Sequence, residues 1–204
     1  MGDWGVVLKR EQSPIVLSLP SIQSKPNTTV TVPITVVDAT GIADGSITVT
    51  YDSKLLQANG AAATTLTNGF NVVADTATAG QIAITFSRAT AITGSGGALI
   101  DIEFSVNPNV AVGSTTPLTL QSASIQGVLE IQLQNGTLTI IGTEGDLNND
   151  GVVDVGDSIL ALRLVQNLST PNPVYEQSVA DLSGDGQVDN ADVDLLLHQD
   201  VGLK

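Results

Sequence analysis

The chain has 204 residues, 42% apolar and only 14% charged, with no cysteine; this bounds it to one large or two small domains and excludes disulfides, thiolate metal sites and a Cys nucleophile. Its net charge of −14 gathers at one end: eleven acidic residues stand against two basic ones from Gly145 to Lys204, and ten against five in the first 144 residues. So acidic a surface repels phosphate and argues against nucleic acid as a partner, and no apolar run approaches the roughly 20 residues of a membrane span.

Residues 1–14 read as an N-terminal extension. The opening "MGDWGVVLKREQ" has an early acidic residue and a short apolar patch, unlike a signal peptide, so an exported protein would present here its mature part with an added start. From Ile15 the pattern has period two. Val30, Val32, Ile34 and Val36 alternate with Thr29, Thr31, Pro33 and Thr35; Ile47, Val49 and Tyr51 share a face, as do Ile82, Ile84 and Phe86, and Ile100, Ile102, Phe104 and Val106. Pro33 moves its strand towards an edge or a bulge. Leu129, Ile131 and Leu133, then Asn135-Gly136, then Leu138 and Ile140 read as a tight hairpin. About nine short strands, each with one apolar face, imply an all-β sandwich over residues 15–142.

At Gly142 the pattern changes. Residues 143–145 form a short linker, too short for free tumbling, and residues 146–204 a second, small all-α domain. Two acidic phrases, "DLNNDGVVDVGD" from Asp146 and "DLSGDGQVDNAD" from Asp181, lie 35 residues apart in register. Helical stretches follow at Ser158 and Val193, and a Pro-broken loop between them holds a short helix after Pro173. The first phrase puts Asp146, Asn148, Asp150, Val152, Asp154 and Asp157 at positions 1, 3, 5, 7, 9 and 12 of a calcium loop; the second puts Asp181, Ser183, Asp185, Gln187, Asp189 and Asp192 there. Val152 and Gln187 offer a backbone carbonyl. Gly151 and Gly186, at position 6, permit the sharp turn. Four carboxylates per loop repel one another without metal, so two calcium ions are expected, and folding of the tail is expected to need them. Position 12 is Asp where the usual signature has Glu, so the following helix must come closer.

Two such loops, each leading into a helix, resemble a dockerin, a module with two F-hand (EF-hand-like) loop-helix motifs that plugs secreted proteins into cohesins. The resemblance implies partner-binding residues at loop positions 10 and 11 and helix positions 17 and 18: Val155, Gly156, Leu162 and Arg163 in the first half, and Asn190, Ala191, Leu197 and His198 in the second. Many dockerins carry Ser-Thr and Lys-Arg at these pairs, and this chain does not. Upstream, "SKPNTTVTVPITV", "GIADGSITVTYDSKLL" and "IAITFSRATAITGSGGALIDIEFSV" resemble a cohesin, a jelly-roll sandwich. The resemblance implies a dockerin-binding face that includes its third, fifth, sixth and eighth strands, with Asp44, Ser46 and Arg88 at partner-binding positions; Arg88 stands where an acidic residue is common.

The expected function is non-catalytic, extracellular assembly. The sandwich receives a dockerin, the tail docks into a cohesin, and a chain with both ends can also join copies of itself head to tail. Two readings compete: a carbohydrate-binding sandwich, which needs exposed Trp or Tyr, and a sandwich that merely supports the dockerin. Catalysis is not expected. His198, the single histidine, has no Ser partner in any motif, and Asp101 and Glu103 lie on an outward strand face.

Overall fold

The computed structural model describes residues 14–200. Trp4 and nearly all of the expected extension, together with residues 201–204 of the tail, lie outside the described residues. Eleven strands and three helices follow in order: β1 (Ile15–Ser18), β2 (Ser21–Ser24), β3 (Thr29–Asp38), β4 (Asp44–Thr50), β5 (Leu56–Ala63), β6 (Asn71–Asp75), β7 (Gln81–Ser87), β8 (Ser95–Val106), β9 (Thr115–Ile125), β10 (Ile131–Gln134), β11 (Gly136–Ile140), α1 (Val155–Val165), α2 (Pro173–Ala180) and α3 (Asn190–Asp200).

The strands form two sheets, ordered β10-β1-β3-β8-β5 and β2-β11-β9-β4-β7-β6. Alternation explains the core. Successive strand residues point to opposite faces, so Val32, Ile34 and Val36 are buried while Thr31 and Thr35 are not; Ile47 and Val49, and Ile82, Ile84 and Phe86, repeat the pattern on β4 and β7. The inward residues of both sheets merge into one cluster.

The count is eleven rather than nine because the first and last strands each divide between the sheets. β1 pairs with β10 and β2 with β11, both parallel, and Leu19-Pro20 and Asn135-Gly136 mark the crossings. The hairpin expected at Asn135-Gly136 is therefore absent: β10 and β11 lie in different sheets. Gly136 serves close approach instead, since a Cβ there would fall 2.0 Å from the Pro20 carbonyl oxygen, and the Asn135 Oδ1 accepts from the Leu120 amide at 3.0 Å. Leu129, expected on the inner face, is 96% exposed. Pro33 also differs from expectation. Its strand is interior, but β1 pairs only with Thr35 and Val36, so no β1 residue needs an amide from Pro33. A bulge does follow it, where the register against β8 passes over Leu99.

In the tail, α1 and α3 pack together, with α2 against α1. Leu147, Ala161, Tyr175, Val179, Ala180, Val193 and Leu196 form its small core. Asp154 caps α1: its side chain accepts from the Gly156 amide at 2.7 Å, and Asp157 reaches back to the Asp154 amide at 2.9 Å. Both long helices thus begin three residues before their apolar stretches, at loop position 10.

Candidate metal loops and docking faces

The two acidic phrases fold into the same loop twice. Positions 4 and 6 are left-handed in each: Asn149 (φ +58°) and Gly151 (φ +94°), Gly184 (φ +72°) and Gly186 (φ +86°). Asn and Gly are the residues that tolerate this region. The position-1 carboxylate accepts from the position-6 amide, at 3.0 Å from Gly151 to Asp146 and 2.9 Å from Gly186 to Asp181. The position-5 carboxylate accepts from position 7, at 2.9 Å from Val152 to Asp150 and 2.8 Å from Gln187 to Asp185. The position-12 carboxylate ties both ends of the loop: Asp157 accepts from Asn148 and Asp154, and Asp192 from Ser183 at 2.9 Å and Asp189 at 2.8 Å.

Burial separates the copies. Asp146 and Asp157 are both fully buried, whereas Asp181 is half-buried beside the buried Asp192. Burial, aided by the Asp146 charge, holds the Asp157 carboxyl above its ordinary pKa against the pull of the Asp154 and Asn148 amides. At Asp192 burial also pushes upward, but hydrogen bonds from Asp189 and Ser183 outweigh it and the pKa is lowered. The Tyr175 hydroxyl, pushed up to about 12 by burial and then by the charges of Asp146 and Asp157, donates to the Asp146 carbonyl at 3.0 Å.

The donor chemistry fits calcium. Every side-chain donor at the expected positions is a hard oxygen, and the adjacent buried Asp146 and Asp157 make the environment a divalent cation neutralises. In the described residues these carboxylates bond the loops' own amides, and no three acidic or His side chains converge as a cluster.

The residues at the implied docking positions lie outward. On α1, Val155 is 54% exposed and Leu162 41%; the sequence reading missed Ile159, 55% exposed, although the spacing 155, 159, 162 marks one helical face. Gly156 is half-buried, and the Arg163 guanidinium donates to the Ser169 carbonyl. The equivalent α3 face is more polar: Asn190 and Asp194 replace Val155 and Ile159, Leu197 matches Leu162, Ala191 follows Asn190, and His198 sits 3.6 Å from Asp194. On the sandwich, Ser46 lies between Thr85 of β7 and Ser124 of β9 in an exposed row of hydroxyls, with Asp44 opposite Ser87. Arg88 follows β7, with its guanidinium over the Phe70 ring at 5.9 Å and bonded to the Asn68 carbonyl at 3.2 Å.

A cohesin domain model matches residues 15–140, and a dockerin type I domain model matches residues 144–199. No curated protein matches the chain. Among solved structures, the chain resembles a non-cellulosomal cohesin from the hyperthermophilic archaeon Archaeoglobus fulgidus, at 18% identity and TM-score 0.56, covering 69% of this chain and 100% of that one. It also resembles the sixth cohesin of scaffoldin B from Acetivibrio cellulolyticus, solved in complex with a dockerin, at 18% identity and TM-score 0.55, covering 63% and 99%. A type I cohesin from Pseudobacteroides cellulosolvens is similar at 20% identity and TM-score 0.53, covering 64% and 94%. At these identities the likeness is one of fold.

Proposed function

The chain belongs to the cohesin family, with a type I dockerin behind the cohesin, and on that premise we propose that it works outside the cell as a two-ended adaptor. Cohesins bind dockerins and dockerins bind cohesins, so the chain is a non-catalytic assembly protein carrying both halves of one recognition pair. The carbohydrate-binding alternative is not favoured: among the described residues Phe70, Phe86, Phe104 and Tyr175 are buried and Tyr51 packs edge-on against Phe104, leaving no sugar platform.

The functional units are the cohesin over residues 15–142, the linker at 143–145 and the dockerin from 146. Type I dockerins bind calcium. Here two ions are assigned, one to Asp146, Asn148, Asp150, the Val152 carbonyl, Asp154 and Asp157, the other to Asp181, Ser183, Asp185, the Gln187 carbonyl, Asp189 and Asp192. Bound calcium supplies the positive charge that offsets four carboxylates in each loop. The protein's own part is to close each loop through its position-12 Asp, which sets the start of α1 or α3 and so presents the docking residues. Calcium levels outside the cell suit such loops, which supports the extracellular assignment. No helix among the described residues is long and apolar enough to cross a membrane.

The observation that carries the reading is the twin loop geometry joined in one chain to a sandwich whose hydroxyl face is exposed. A binding screen tests it. The full chain in calcium is expected to capture at least one member from a panel of type I cohesins and one from a panel of type I dockerins; capture of neither class contradicts it. Light scattering at tens of micromolar reports head-to-tail joining as a mass above the monomer.

A further inference from the structure

The two calcium loops differ in what stands behind them. Asn149, at position 4 of the first loop, donates through Nδ2 to the Pro26 carbonyl of the sandwich at 2.8 Å, and its Oδ1 accepts from the Tyr175 hydroxyl at 3.2 Å. That hydroxyl's single proton is shared between Asn149 Oδ1 and the Asp146 carbonyl at 3.0 Å, so Asn149 braces Tyr175 and loop position 1 against the sandwich turn. Helix α2 is held the same way. Its own N-cap, Asn172, makes no side-chain cap; the Val174 amide is satisfied instead by Asn109 Oδ1, from the sandwich, at 2.8 Å. The Val112 amide donates to Ser178 Oγ at 3.0 Å, and the Val112 side chain packs into the tail core. Gly142 makes room, since a Cβ there would lie 2.5 Å from Val112 and 3.2 Å from the Tyr175 ring. The second loop has Gly184 at position 4, which offers no side chain, and its hydrogen bonds stay within the tail.

We propose that Asn109, Val112 and the Pro26 carbonyl are positioning groups for the first calcium loop, so that the sandwich raises calcium affinity at Asp146–Asp157 and leaves the loop at Asp181–Asp192 unaided. The inference rests on the reading of both phrases as calcium loops. The physical cause is that the sandwich contacts form only with the folded tail, the same state that the ion binds, so their free energy adds to that of calcium at the first loop. Linkage makes the effect reciprocal, so calcium in the first loop also tightens the joint between modules.

The test titrates calcium chloride into the full chain and follows the Gly151 and Gly186 amides by nuclear magnetic resonance, one reporter for each loop. Asn149→Gly copies the second loop's residue, suits the left-handed backbone and removes only the strut. Asn109→Ala removes the helix cap from the sandwich side, remote in sequence from every proposed ligand. Each is expected to weaken calcium binding at the Gly151 reporter by about tenfold, within the usual range of coupling between sites, with the Gly186 reporter unchanged. Hydrogen exchange of the Val112 amide in calcium-saturated Asn149→Gly is expected to quicken relative to Ile102 in the core. Equal weakening at both reporters, or no weakening at either, overturns the proposal. If neither glycine responds to calcium in the unmodified chain, the calcium reading itself fails and takes the proposal with it.

Discussion

The sandwich and the tail keep their folds by different means. Among the described residues, twenty-eight buried apolar side chains make one core in the sandwich, and seven make the core of the tail. Each fully buried large aliphatic side chain contributes roughly 1.5–3 kcal/mol, so the larger core gives the sandwich much more packing stability than the tail has. The tail also buries Asp146 beside Asp157, and burial disfavours the charged form of the Asp157 carboxyl. On this contrast, packing is expected to hold one end of the chain by itself, while the other is expected to need calcium as well.

The largest effect expected from this contrast is that of chelation. Removing calcium is expected to abolish most of the helical circular dichroism and leave the strand signal in place; loss of both together would show that the modules do not differ in kind. Next comes the sandwich core. Phe104→Ala removes a fully buried ring and is expected to lower sandwich stability by about 3–5 kcal/mol in a urea titration, with the calcium-dependent helical transition still present.

The contrast sharpens within the tail. Leu162→Ala on the apolar α1 face is expected to cost about 1–2 kcal/mol of cohesin binding by calorimetry, and Leu197→Ala on the more polar α3 face less; equal losses would mean both faces engage alike. The smallest effect concerns Tyr175. Its folded pKa lies above the unfolded value near 10, so its contribution to tail stability is complete below about pH 10 and is lost as pH rises towards about 12. Absorbance of the phenolate should show an ionisation step near pH 12, and Tyr175→Phe should remove that step at a cost of about 1 kcal/mol for the lost hydrogen bond.

Much of this was legible in the sequence for a simple reason. Strand alternation and loop spacing are local, and the loop is written twice. Val32, Ile34 and Val36 announce their burial by period, and Gly151 and Gly186 announce their turn by register. What failed was non-local. Asn135-Gly136 has the composition of a hairpin, but its role is set by the Pro20 carbonyl more than a hundred residues away in the chain. Pro33 sits in an interior strand because β1 is too short to reach it, which no window around Pro33 reveals. Ile159 was within reach at helical spacing. The partners of Asn109 and Asn149, in the other module, were not.

The measurement that bears most directly on the account immobilises the full chain carrying Asp146→Ala and Asp181→Ala beside the unmodified chain, and passes type I cohesins and type I dockerins over both in calcium. The unmodified chain should hold both classes, and the double variant should lose the cohesin while retaining the dockerin. A double variant that still holds cohesins, or one that loses its dockerin as well, would contradict it.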